Sequence, residues 1–203
     1  MIDEYLIYLQ ERALISRKTI SIDLDKFISG ESNKLLIAGL SGAGKSTLCQ
    51  YLAKKYKVEG VLTDKCIHFI KHPNKHIGAH NPSEDILKEV FLEGYVNCVR
   101  PELKKNKRQV IEGGFVWQSY LYFPQYRKEM KHHPIIIFGA SALKASWQVF
   151  GRSRKKHSLP YAIGKIPLIY DRNFNTLNKK MDMFRDLRTK AGGDIQEFKV
   201  PKL

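Results

Sequence analysis

The apolar run Leu35-Leu36-Ile37-Ala38 leads directly into Gly39-Leu40-Ser41-Gly42-Ala43-Gly44-Lys45-Ser46. After it, Leu48, Tyr51, Leu52 and Tyr56 recur at roughly helical spacing. A strand, a glycine-rich turn and a helix in that order commit this part of the chain to an α/β arrangement. The turn also meets every fixed position of the pattern G-x-x-x-x-G-K-[ST]. Its glycines let the backbone fold back so that several N–H groups converge on one point, and the helix that follows adds its positive end. A lysine at a helix start opposes the helix dipole, so Lys45 makes sense there when a polyanion is bound. Lys45 can then reach the β and γ phosphates of a nucleoside triphosphate, and Ser46 can ligate Mg²⁺.

Strand-like runs alternate with helix-like ones through the rest of the chain. The runs at 35–38, 60–63, 109–112, 135–138 and 195–200 predict five strands, and a βαβ pattern places them in a parallel sheet flanked by helices. Helices are expected at 46–56, 82–97, 117–131, 142–154 and 173–191. Asn81-Pro82 with Glu84 opens the second of these, and Gly192-Gly193 stops the last. Residues 1–33 stand outside this pattern as an N-terminal extension, with a helix expected over 2–13 and some alternation over 19–27. A chain of 203 residues holds one such domain, here 34–203.

No apolar run approaches bilayer length, and the acidic Met1-Ile2-Asp3-Glu4 does not open a secretory signal. The odd set Cys49, Cys66 and Cys98 forms no C-x-x-C pair, which suits a reducing compartment with the three as small packing residues. A cytoplasmic protein is expected, in the host cytoplasm if the source is viral. The 35 Lys and Arg against 20 Asp and Glu leave a net charge of +15. The surplus is clumped in 104–108, in 152–156 and at Lys179-Lys180. A nucleotide pocket needs only a few cations, so the surplus points to a nucleic-acid partner, with a solvated basic surface as the plain alternative.

Phosphate-binding loops serve switches, motors and kinases. The chain has no N-K-x-D element for reading guanine, and Gln109-Val110-Ile111-Glu112-Gly113-Gly114 is a poor match to the acidic strand end of an ATPase motor. The loop on the first predicted strand, Asp64 at the end of the second, and Arg152 and Arg154 late in the chain resemble the adenylate-kinase-like group of P-loop kinases. Within that group, Asp64 stands where polynucleotide 5′-hydroxyl kinases and zeta toxins carry an acid that accepts the proton of the attacked hydroxyl. Val110-Ile111-Glu112-Gly113-Gly114-Phe115 is similar to the third-strand end of adenylate kinases, although Glu-Gly-Gly replaces Asp-Gly.

The resemblance implies a P-loop kinase fold over about 34–200 that uses ATP and Mg²⁺. The loop (Gly39, Ser41, Gly42, Ala43, Gly44, Lys45) would hold the phosphates, Ser46 the Mg²⁺, and Thr47 the α phosphate. Glu112 would hold the metal's water shell, and Arg152 and Arg154 would ride on a lid over 151–165 that neutralises charge and excludes water during transfer. Asp64, if it acts as a base and not merely as a cap, implies an alcohol acceptor. Gly113, Gly114 and Trp117 are the expected substrate contacts, while Tyr120, Tyr122, Phe123 and Tyr126 are more often core. His68, His72, His76 and His80 recur every fourth residue, but Pro73 and Gly78 break the helix that would align them on a metal, which favours a substrate-side loop.

The expected function is therefore transfer of the γ-phosphate of ATP to a hydroxyl on nucleic acid. A hydroxymethylated base in DNA is preferred, as in the viral 5-hydroxymethyluracil DNA kinases that this chain resembles. A 5′-hydroxyl end, a nucleoside, a nucleotide or another small metabolite are alternative acceptors. An ATP-switched nucleic-acid-binding module is the alternative from another class.

Overall fold

The computed structural model describes residues 19–73, 83–139, 146, 147, 149–151, 154, 155, 159, 160, 163 and 176–198. Its centre is a six-stranded mixed sheet, so the expected five-stranded parallel sheet is corrected by one strand and one direction. In chain order the strands are β1 (Ile20–Ile22), β2 (Lys34–Gly39), β3 (Glu59–Leu62), β4 (Gln109–Glu112), β5 (Ile135–Phe138) and β6 (Ile195–Glu197). Across the sheet they lie in the order β3-β4-β2-β5-β1-β6. The strands β3, β4, β2 and β5 are mutually parallel. β1 runs antiparallel to both β5 and β6, so β6 points the same way as the first four.

β2 and β5 are buried along their whole length, as their unbroken apolar sequences require of strands covered on both faces. β1 carries Ile-Ser-Ile between them and β6, in register Ile20 to Ile137 and Ile22 to Ile135. Residues 20–22 of the stretch grouped with an N-terminal extension thus form a strand internal to the sheet. Asp23 ends β1 in the left-handed region and closes the junction with β6. Its N–H donates to the Asp194 carbonyl (2.9 Å), and its carboxylate accepts the Asp194 N–H (3.1 Å).

The helices are α1 (Leu24–Ile28), α2 (Lys45–Tyr56), α3 (Glu84–Gly94), α4 (Arg100–Lys104), α5 (Gly114–Tyr122), α6 (Pro124–Met130) and α7 (Asn178–Lys190). A 3₁₀ segment, Thr63–Phe69, follows β3, and a π-helical turn, Tyr95–Val99, joins α3 to α4. The Ser83 side chain, accepting the Ile86 N–H at 3.5 Å, caps α3. The single helix expected over 117–131 is two, because Phe123 precedes Pro124 and is forced extended. Most of the helix expected over 142–154, together with Asn81, Pro82, Asn173 and residues 1–18, lies outside the described residues.

Cys66 and Cys98 form a disulfide, and Cys49 is free and buried. This corrects the expectation of three unpaired packing cysteines and removes the cysteine argument for a reducing compartment. No helix among the described residues is long and apolar enough to cross a membrane.

Candidate nucleotide and acceptor site

Four parallel strands end on the same edge of the sheet, which brings distant residues together. Register pairs Ile37 and Leu62 with Glu112, and Gly39 with Phe138. The chain leaving β2 passes through α2 to the β3 side, whereas the next strand after β5 among the described residues, β6, lies on the opposite side. In open α/β sheets, such a divergence opens a ligand crevice outside the carboxyl ends of the strands. The glycine-rich turn, residues 39–44, occupies that position.

Its first residue must be glycine for lack of space. A Cβ on Gly39 would lie 2.8 Å from the Phe138 Cβ on the neighbouring strand. Gly42 and Gly44 have φ of 88° and 94°, and between them Ala43 is fully buried and donates its N–H to the Leu40 carbonyl at 3.1 Å. The same carbonyl accepts a bond from Lys45 Nζ at 3.0 Å, so the lysine folds back over the turn and is 8% exposed. Ser41, Ser46 and Thr47 are exposed around this turn.

Beneath it, Ser46 Oγ donates to Glu112 Oε1 at 2.8 Å. Glu112 is 2% exposed at the end of β4, which makes it a buried carboxylate aimed at the first turn of α2. A hydroxyl and a carboxylate in contact form an oxygen donor set of the hardness Mg²⁺ prefers. Mg²⁺ commonly takes one or two protein oxygens and leaves its other positions to water and phosphate. The residues present therefore fit both a triphosphate and its metal. Burial first, and then the charge of Glu112, push the Cys49 thiol up to about 12, which keeps this neighbour protonated and inert.

Asp64 stands two residues beyond β3 and is exposed. Its Oδ1 accepts the N–H of Gly114, the first residue of α5, at 3.1 Å. Gly113 lets the two strand ends approach, since a Cβ there would lie 2.0 Å from Thr63 Oγ1 and 3.0 Å from Asp64 Oδ1. The expected residues Asp64, Glu112, Gly113 and Gly114 thus share one edge with the loop, and Asp64 also acts as a cap.

Trp117 does not join them. It is 1% exposed, with its ring 6.2 Å from Phe184 of α7, so it packs the core and offers no face to a substrate. Tyr120 meets the same phenylalanine edge-on at 5.3 Å. Arg154 is exposed on a helical turn, while Arg152 and most of 151–165 lie outside the described residues. So do His76 and His80. His72 binds Glu89 at 2.9 Å, and among the described residues no group of three or more His, Cys, Asp or Glu is placed to hold a metal.

The basic run 104–108 lies at the amino end of β4, opposite the loop. Lys105 pairs with Glu102 (2.6 Å), and Lys107 pairs with Glu59 (2.5 Å). Fully buried Lys34 donates to the carbonyls of Lys105 (2.8 Å) and Lys107 (2.9 Å) and to Gln109 Oε1 (2.5 Å). Burial lowers the Lys34 ammonium from its usual range. This run fastens an edge of the sheet and supplies nothing to the loop.

Residue order had given no signal for the Cys66–Cys98 link, whose partners stand 32 residues apart. No protein-family model matches the chain, and no curated protein or solved structure is significantly similar to it.

Proposed function

We propose that the protein is a P-loop kinase that transfers the γ-phosphate of ATP to a hydroxyl on nucleic acid. One observation carries the reading. The loop of Gly39 to Lys45, the Ser46–Glu112 contact and the Asp64 carboxylate, contributed by three parallel strands, lie on one sheet edge.

The geometry supports the following roles. The triphosphate lies along the loop amides, and Lys45 exchanges the Leu40 carbonyl for phosphate oxygens. Mg²⁺, when bound, neutralises charge developing on the phosphate oxygens. Ser46 would ligate it, and Glu112, which accepts from Ser46 Oγ, would orient that hydroxyl and the metal's waters. The acceptor oxygen forms a bond to Pγ as the bond from Pγ to the β–γ bridging oxygen breaks. The acceptor proton passes to Asp64, and ADP leaves with the bridging oxygen. Exclusion of water once both substrates are bound would suppress hydrolysis.

The net charge of +15 supports a polyanionic acceptor, and a hydroxymethylated base in DNA is the acceptor we favour. The pairing of the 104–108 run away from the loop supports a second reading, a kinase of free nucleosides or another small metabolite. Transfer from γ-labelled ATP to a panel separates the two. The panel holds DNA with and without hydroxymethyluracil, 5′-hydroxyl oligonucleotides, and free nucleosides and nucleotides. Label internal to modified DNA is the expected result. Label on ends changes the acceptor, label on free nucleotides establishes the second reading, and ATP binding without transfer overturns both in favour of a binding module.

A further inference from the structure

The 3₁₀ segment that carries Asp64 continues to a pair of rings that the kinase reading leaves unused. Phe69 is 62% exposed and His68 is exposed beside it, with ring centroids 4.4 Å apart and planes tilted by 46°. A lone surface phenylalanine needs no explanation, but the chain that carries this one is fastened on both sides. Cys66 is tied to Cys98 in the π-helical turn, Ile70 is fully buried, and the Glu93 carboxylate accepts the N–H groups of Lys71 (2.5 Å) and His72 (3.0 Å). Lys65 and Lys71 are exposed on the same stretch, and neither ammonium is in an ion pair among the described residues.

Exposed rings interleaved with cations are how proteins hold single-stranded nucleic acid, stacking bases while following the phosphates. Phe69 follows Asp64 by five residues in the same segment, which kinks at Cys66, so chain reach alone keeps the ring within about 18 Å of the carboxylate. We propose that His68 and Phe69 form a stacking platform for an unpaired base of the acceptor strand, with Lys65 and Lys71 on its phosphates, so that the strand's hydroxyl is presented to Asp64. The platform deepens the kinase reading and rests on it for the role of Asp64. It favours a single strand over a duplex, whose stacked bases cannot reach an exposed ring without being flipped out.

The test uses the full chain, wild type and with Phe69→Ala or Phe69→Trp. Binding of a fluorescein-labelled oligothymidylate is followed by anisotropy at low salt, and MgATP binding and label transfer are measured in parallel. Phe69→Ala is expected to weaken oligonucleotide binding by about 5- to 150-fold, the loss of one stacked base. Phe69→Trp should restore it, and MgATP affinity should stay unchanged in both. Equal oligonucleotide affinity in wild type and Phe69→Ala overturns the platform, as does tighter binding to duplex than to single strand. Absence of label transfer by wild type counts against the kinase reading alone, because the binding contrast is read without turnover.

Discussion

Ser46, Glu112 and Asp64 make separable contributions, and paired substitutions read them apart. Glu112→Gln keeps the shape of the side chain and removes the charge that Ser46 Oγ contacts at 2.8 Å. It should reduce turnover by about 10- to 100-fold, with a raised Mg²⁺ requirement, as loss of a group orienting a metal ligand does. Asp64→Asn retains an oxygen for the Gly114 N–H, so α5 keeps its cap while the base is lost. The chemical step should slow by about 10²- to 10⁴-fold in single-turnover assays with ATP affinity intact, and full turnover would dismiss Asp64 as the base. The loop was legible in the sequence because each of its residues meets a local demand of φ, space or charge. Trp117 was not, because a tryptophan just past Gly113-Gly114 reads the same whether it faces the crevice or Phe184, and only packing decides.

At the scale of elements, the 3₁₀ segment is the part whose placement rests most on a covalent link. Cys66–Cys98 fastens it to the turn between α3 and α4 across 32 residues of sequence. Replacing both cysteines by serine should cost about 2–4 kcal/mol, seen as a lower denaturant midpoint, and reductant should bring wild type down to the same value. A variant as stable as wild type would show that the link contributes nothing. The parallel strands were readable because runs such as Ile135–Phe138 are apolar throughout, whereas the break before Pro124 was passed over in expecting one helix, although its cause is local. β1 was not readable as a strand. It has three residues, and its partners, Ile135 to Ile137 and Ile195 to Glu197, lie more than a hundred residues away. No local pattern encodes a pairing of that reach.

At the scale of the whole molecule, charge is distributed by structural need as well as by function. Arg188 of α7 is 1% exposed and donates to the carbonyls of Lys131 (2.7 Å) and His133 (3.0 Å), fixing the turn into β5. Burial first, then the nearby charges of Lys34, Arg188 and His132, push the His133 imidazole down to about 4. The folded protein therefore holds His133 neutral where the unfolded chain, with an ordinary value near 6.5, takes up a proton. Stability should be fully present above about pH 6.5 and decline as pH falls toward 4. Urea midpoints at pH 7.5 and 5 measure this, and His133→Gln should flatten the difference. The total charge was plain from composition, but that Lys105 and Lys107 are spent on Glu102 and Glu59 at the edge remote from the loop became visible only in the fold.

The central claim is that this sheet edge moves a phosphoryl group from ATP to an alcohol. ³¹P NMR of wild-type protein with MgATP and hydroxymethyluracil-containing single-stranded DNA tests it most directly. The account predicts one new phosphomonoester resonance growing in step with ADP, absent without Mg²⁺ and absent with Lys45→Ala. ADP accompanied by inorganic phosphate in place of the ester, or ATP left unconsumed, would contradict it.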